Sequence, residues 1–126
     1  MTDTTASALI LVVDDDAFQR MGASDMFLNA GYRVVEAANA DEALQCLEAN
    51  PDIGLLFTDV AMPGTMNGSD LASQVEKRWP KIGIIVTSGL PRPNNLPVNT
   101  CFLAKPYEPN AVLRHASGMT RSRLFQ

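Results

Sequence analysis

The chain has 126 residues, 46% of them apolar and 19% charged, with a formal net charge of -4. That is the size of one domain, with apolar material for one core, too little polarity for disorder and no room for a second folded unit. The longest apolar runs are about a strand in length, which argues against a membrane span, and residues 1–8 lack the basic and apolar regions of a secretory signal. The expected compartment is therefore the cytoplasm, with Cys46 and Cys101 reduced. Neither belongs to a CxxC or Cys/His cluster, so both read as small buried hydrophobes.

Charge is uneven along the chain. Up to Val60 there are eleven acids and two bases, and from Ala61 onward three acids and eight bases. One fold bringing both signs together accounts for this; an acidic pocket serving a cation is the sharper reading. The bases are scattered, without interleaved aromatics, which gives no support to nucleic acid as a partner.

Residues 9–13 form an apolar run that stops at Asp14, Asp15 and Asp16, the pattern of a buried parallel strand ending at a site. A helix is expected over 17–30, with Phe18, Met21, Met26, Phe27 and Ala30 inward and Gly31 at its C-terminal end. Residues 32–37 read as a second strand and 41–49 as a short helix burying Ala43, Leu44 and Leu47, stopped by Pro51. A third strand is expected over 53–60. A helix over 67–79 follows, with Leu71, Ala72, Val75 and Trp79 on one stripe and Pro80 closing it. Strands are expected over 82–86 and 102–104, and a last helix over 108–118. The tails at 1–8 and 119–126 read as frayed.

Strands alternating with helices define an α/β domain, a parallel sheet covered on both faces by right-handed crossovers. Ligands of such sheets lie beyond the carboxyl ends of the strands, where Asp14, Asp15, Asp59, Thr87 and Lys105 all fall. One connection breaks the pattern. Residues 89–99 contain Pro91, Pro93 and Pro97 and leave no room for a full helix between the fourth and fifth strands.

Carboxylates gathered at one edge repel, each pair costing on the order of 4 kcal/mol at about 4 Å and an effective dielectric of 20. Asp14, Asp15 and Asp59 therefore call for a cation, and oxygen donors without His or Cys point to magnesium. Helix capping would also account for Asp14 to Asp16, and Asp16 is assigned that role alone. Lys105 could reach the carboxylates or a phosphate as a point charge, or lie solvated. Thr87 could offer its hydroxyl to the same phosphate, or serve a turn. A cis bond before Pro106 would let Lys105 point inward while the chain turns into the last helix.

Residues 9–16 (LILVVDDD), 55–64 (LLFTDVAMPG), 84–89 (IIVTSG) and 102–107 (FLAKPY) together resemble a response-regulator receiver domain, over about residues 9–117. The resemblance implies a flavodoxin-like sheet of five parallel strands in the order 2-1-3-4-5. It implies that Asp59 accepts a phosphoryl group from a histidine kinase or a histidine phosphotransfer protein. Asp14, Asp15, Asp59 and the backbone carbonyl of Ala61 would hold Mg2+, with Thr87 and Lys105 on the phosphoryl oxygens. Phe102 matches the aromatic switch that turns inward as the hydroxyl residue moves. Such a domain catalyses its own phosphorylation and dephosphorylation and is otherwise not an enzyme.

Three departures stand out. Thr65 is an extra residue after the acceptor, lengthening that loop. Ala61 and Gly89 stand at two positions whose side chains tune hydrolysis of the aspartyl phosphate in the family, and neither can orient water. The proline-rich 89–99 stretch replaces most of the family's fourth helix, as in receivers found alone or attached to hybrid kinases. That missing surface makes a monomer the expected state, with an unknown downstream protein as target and neither nucleic acid nor membrane as partner.

The leading expectation is a stand-alone receiver. The alternatives are a receiver excised from a hybrid histidine kinase and an interaction module that works without phosphorylation. A phosphatase using an aspartyl phosphate would need a second acid two residues past its nucleophile, where Ala61 stands. Nucleotide enzymes on related sheets would need a GxGxxG or GxxxxGK pattern, and neither occurs.

Overall fold

The computed structural model describes residues 8–124 other than 63 and 65. Of the expected N-terminal tail only Ala8 is described. Thr65 and residues 125–126 also lie outside the described residues. The elements in chain order are β1 (Leu9–Val13), α1 (Ala17–Asn29), β2 (Arg33–Ala37), α2 (Ala40–Ala49), β3 (Ile53–Asp59), α3 (Gly68–Arg78), β4 (Gly83–Ser88), β5 (Thr100–Ala104) and α4 (Pro109–Leu124). The five strands are parallel and ordered β2-β1-β3-β4-β5.

The first three helices each start at a local cap. The Asp16 carboxylate accepts from the backbone N–H groups of Phe18 and Gln19, at 2.9 and 3.2 Å. Asn39 does the same for Glu42 at 2.8 Å, and Asn67 and Asp70 form a reciprocal capping box at the head of α3. At the other end of α1 the chain reverses through Gly31, whose φ of 97° lies where only glycine is free of strain.

Side-chain alternation on the strands separates two cores. Leu9, Leu11 and Val13 pack on the face with Ala43, Leu47, Leu71 and Val75 of α2 and α3. Ile10 and Val12 pack on the other, with Ala23 and Phe27 of α1 and Val112 and Ala116 of α4. The register between β1 and β3 slips once: Leu9 pairs with Ile53 but Ile10 with Leu55. Across that irregularity at Gly54 the pattern on β3 changes parity. Ile53 joins the first core, whereas Leu55 and Phe57 join the second.

That parity sets the site. Asp14 follows Val12 by two residues, Asp59 follows Phe57, Thr87 follows Ile85, and Lys105 follows Cys101 and Leu103, all on the second core's face. The four polar side chains therefore end their strands on one side of the sheet.

Two expectations need correction. Phe18 and Met21 do not face inward, being 86% and 57% exposed, and Ala30 is exposed as well. The buried stripe of α1 is Ala23, Ser24 and Phe27, at i, i+1 and i+4, and small side chains let the helix approach the sheet closely. The last helix also continues past Gly118 to Leu124, because no proline or capping turn interrupts it. As expected, the 89–99 connection between β4 and β5 contains no helix.

Candidate functional site

Four strand ends converge at the carboxyl edge of the sheet. The Asp14 N–H continues the β1–β2 ladder to the Ala37 carbonyl at 3.2 Å. Val60 donates to the Thr87 carbonyl at 3.0 Å, and Lys105 to the Ser88 carbonyl at 2.8 Å. These bonds extend the sheet one residue past its last regular pairs and so fix the backbone from which each functional side chain departs. The Lys105–Pro106 peptide is cis, as anticipated.

One carboxylate oxygen from each of Asp14, Asp15 and Asp59 lies within 4.8 Å of the others. Asp14 is buried, Asp59 half-buried and Asp15 exposed. Hard oxygen donors at this spacing, with one member open to solvent, fit a magnesium ion that keeps water or phosphate oxygens in its remaining positions. Lys105 Nζ stands 3.2 Å from Asp59 Oδ2 and 4.0 Å from Asp14 Oδ2. Burial pushes the Asp14 carboxyl above its ordinary value. The Asp16 N–H and the Lys105 ammonium oppose that rise, while the Asp59 and Asp15 charges add to it.

Thr87 is buried at the end of β4 and borders a cleft of about 500 Å3 together with Asp14, Gln19, Phe57, Lys105 and Tyr107. Phe57 and Tyr107 in its lining meet edge to face at 5.7 Å between ring centres, and the buried Phe27 backs Phe57 at 5.3 Å. Burial, and secondarily the Asp14 charge, raise the Tyr107 hydroxyl above its ordinary pKa. On the opposite side of Asp59, Ala61 is exposed and borders a shallow hollow with Asp15, Val60, Met62, Asn67 and Leu90. Phe102 is not beside the carboxylates. It lies half-buried on the other face of β5, packed with Leu96 against the first core.

Several residues at this edge carried no signal in the sequence. Gln19 Oε1 accepts from Lys105 Nζ at 2.6 Å. Arg20 donates to the Asp14 carbonyl at 2.7 Å and pairs with Glu36 on β2 at 3.0 Å, strapping α1 to the strand end that carries the acidic pair. Gly68 opens α3 directly under the acceptor: its N–H donates to the Val60 carbonyl at 2.9 Å, and a Cβ there would overlap the Asp59 carbonyl.

Five parallel strands in this order with a triple-carboxylate edge and a lysine across it define a receiver-type α/β domain. The chain belongs to the response regulator receiver domain family, whose pattern it matches over residues 10–116. It is 36% identical over 112 residues to the sensor kinase CckA of Brucella abortus, covering 84% of this chain and 12% of that kinase's length. It is equally 36% identical over 112 residues to the chemotaxis protein CheY of Thermotoga maritima, covering 82% of this chain and 90% of that protein. Among solved structures, the receiver domain of the hybrid histidine kinase CckA superposes with a TM-score of 0.78 at 29% identity, over 90% of this chain and 99% of that one. A response regulator receiver protein of Sinorhizobium medicae gives 0.86 at 21% identity, over 93% and 97%, a likeness of fold alone. Receiver domains are signalling domains of two-component systems rather than turnover enzymes. Among the described residues no helix is long and apolar enough to cross a membrane.

Proposed function

We propose that this receiver accepts a phosphoryl group on Asp59 in a Mg2+-dependent reaction and passes the change to a protein partner in the cytoplasm. The observation that carries this reading is the grouping of three carboxylates within 4.8 Å with the Lys105 ammonium 3.2 Å from Asp59. Asp14, Asp15, Asp59 and the Ala61 carbonyl would hold the ion, which when bound neutralises carboxylate and phosphoryl charge. An Asp59 oxygen attacks phosphorus in line with the bond to the donor, and that bond's electron pair leaves with the donor. Lys105 and the Thr87 hydroxyl hold the transferred oxygens, and neither needs to form a covalent bond. The donor is a histidine kinase or a histidine phosphotransfer protein. The likeness to part of CckA favours a second setting, a receiver built into a hybrid kinase, in which the donor belongs to the same signalling assembly.

Thr87 and Phe102 would transmit the state from the acceptor to the 89–99 connection, which a partner reads with β5 and α4. The lack of a helix there removes a regular surface for symmetric pairing, so the receiver works as a monomer. Incubation with acetyl phosphate and Mg2+ followed by intact mass measurement tests the proposal. One added phosphoryl group, absent when the ion is chelated, is the expected result; no adduct under either condition would overturn it.

A further inference from the structure

Lys105 is held from two sides. Its ammonium has three N–H donors. One is taken by the Gln19 amide oxygen at 2.6 Å, and the ammonium is ion-paired with Asp59 Oδ2 at 3.2 Å, the longer of the two contacts. Asp14 Oδ2, at 4.0 Å, is too far for a hydrogen bond. Gln19 stands on the first turn of α1, whose start is pinned by Asp16 and whose next residue, Arg20, is strapped to the Asp14 carbonyl. The amide is therefore presented from a backbone fixed to the same strand end as the acidic pair. It is a neutral acceptor in a site that already holds three carboxylates.

We infer that Gln19 is a positioning residue for phosphoryl transfer: its amide oxygen tethers the Lys105 ammonium. The inference rests on Asp59 being the acceptor. When a phosphoryl group arrives, the ammonium has to leave its ion pair with Asp59 and turn an N–H to a phosphoryl oxygen. A tether on a second N–H limits that movement to a short pivot and keeps the amine from turning out to solvent. A carboxylate in place of the amide would hold the lysine as well but would add a fourth negative charge beside an incoming phosphoryl dianion. Neutrality is thus part of the function.

The test compares wild type with Gln19→Leu and Gln19→Glu. Leu and Gln are near-equal helix formers and the position is exposed, so both variants fold. The first readout needs no phosphorylation: the 15N signal of the Lys105 ammonium, which is sharp only when its protons are held away from exchange with water. It should be sharp in wild type, lost in Gln19→Leu and restored in Gln19→Glu. The second is the rate of adduct formation from acetyl phosphate with Mg2+. Removing a charge-stabilising donor outright costs roughly 100- to 1,000-fold, and loosening one is expected to cost about tenfold. Gln19→Leu should be slowed by about that factor with Mg2+ affinity unchanged, and Gln19→Glu should also be slower than wild type despite its restored signal. A sharp Lys105 signal or a wild-type rate in Gln19→Leu would overturn the tether and leave the acceptor assignment standing, and a wild-type rate in Gln19→Glu would overturn the role given to neutrality. A wild type that forms no adduct would overturn the acceptor assignment, and the transfer role of Gln19 with it.

Discussion

The two flanks of Asp59 are built differently. On the side of α1 and the β5–α4 turn, side chains from distant parts of the chain meet: Lys105 touches Asp59 and Gln19, and Arg20 grips the Asp14 carbonyl near a cleft bordered by Phe57 and Tyr107. On the side of residues 60–62 and 89–90 the hollow is shallow, and Ala61 and Gly89 bring no polar side chain toward the acceptor. The first flank can fix charges to within a hydrogen bond's tolerance, which is what in-line transfer requires. The second leaves space, which suits a surface that changes with the state of the site. In the proposed function, the side chains that hold the phosphoryl oxygens lie on the first flank and the surface read by a partner on the second.

The largest expected effect falls on the polar flank. Lys105→Met should slow adduct formation from acetyl phosphate by roughly 100- to 1,000-fold, the usual loss for one charge-stabilising donor. A rate within a small factor of wild type, measured by intact mass over time, would remove the distinction between the flanks.

Gly68→Ala probes the backbone beneath both. Its methyl group would meet the Asp59 carbonyl and, at 2.9 Å, the Val60 Cα, neither of which can rotate away. A loss of about 1–3 kcal/mol is expected, the range for an overpacked site, together with slower adduct formation as β3 and α3 move apart. Thermal unfolding checks the first and mass the second.

Asp14 gives a smaller effect with a definite sign. Its carboxyl is raised above 3.8 mainly by burial, so the folded protein binds that proton more tightly than the unfolded chain does. Stability from this group is full below the unfolded value and is lost as pH rises through the folded one. Asp14→Asn keeps the acceptor for the Asp16 N–H, which stands 2.9 Å from Asp14 Oδ1. At neutral pH without metal the variant should melt higher than wild type, and the difference should vanish in acid. Saturating Mg2+ should reverse the order, because only wild type has the full ligand set.

The smallest effect belongs to the open flank. Leu90 is 68% exposed, and Leu90→Ala should leave the adduct rate within about twofold, as for surface substitutions generally. Hydrogen exchange across 89–99 should nevertheless be fast in the free protein and slow when beryllofluoride with Mg2+ occupies the site. Unchanged exchange there would place the readout elsewhere.

The contrast between the flanks also explains what the sequence could show. Asp14, Asp59, Thr87 and Lys105 were legible because each follows an apolar strand, and period-two alternation carries them to one face. The absent helix was legible from Pro91, Pro93 and Pro97. The inward face of α1 was not: Phe18 and Met21 outweigh Ala23 and Ser24 in hydrophobicity, yet close approach to the sheet favours the small pair. Gln19 and Lys105 are 86 residues apart, and nothing local marks an amide that will meet an ammonium across a fold. Likewise the role of Gly68 depends on where α3 begins relative to the end of β3, a tertiary fact.

The central claim is that the phosphoryl group resides on Asp59. Borohydride reduces an acyl phosphate to an alcohol, so treatment of the acetyl phosphate product followed by peptide mapping reads the modified residue directly. Homoserine at position 59, formed only with Mg2+ and absent from Asp59→Asn, is the result expected. Reduction at Asp14 or Asp15, or a wild-type yield from Asp59→Asn, would contradict the account.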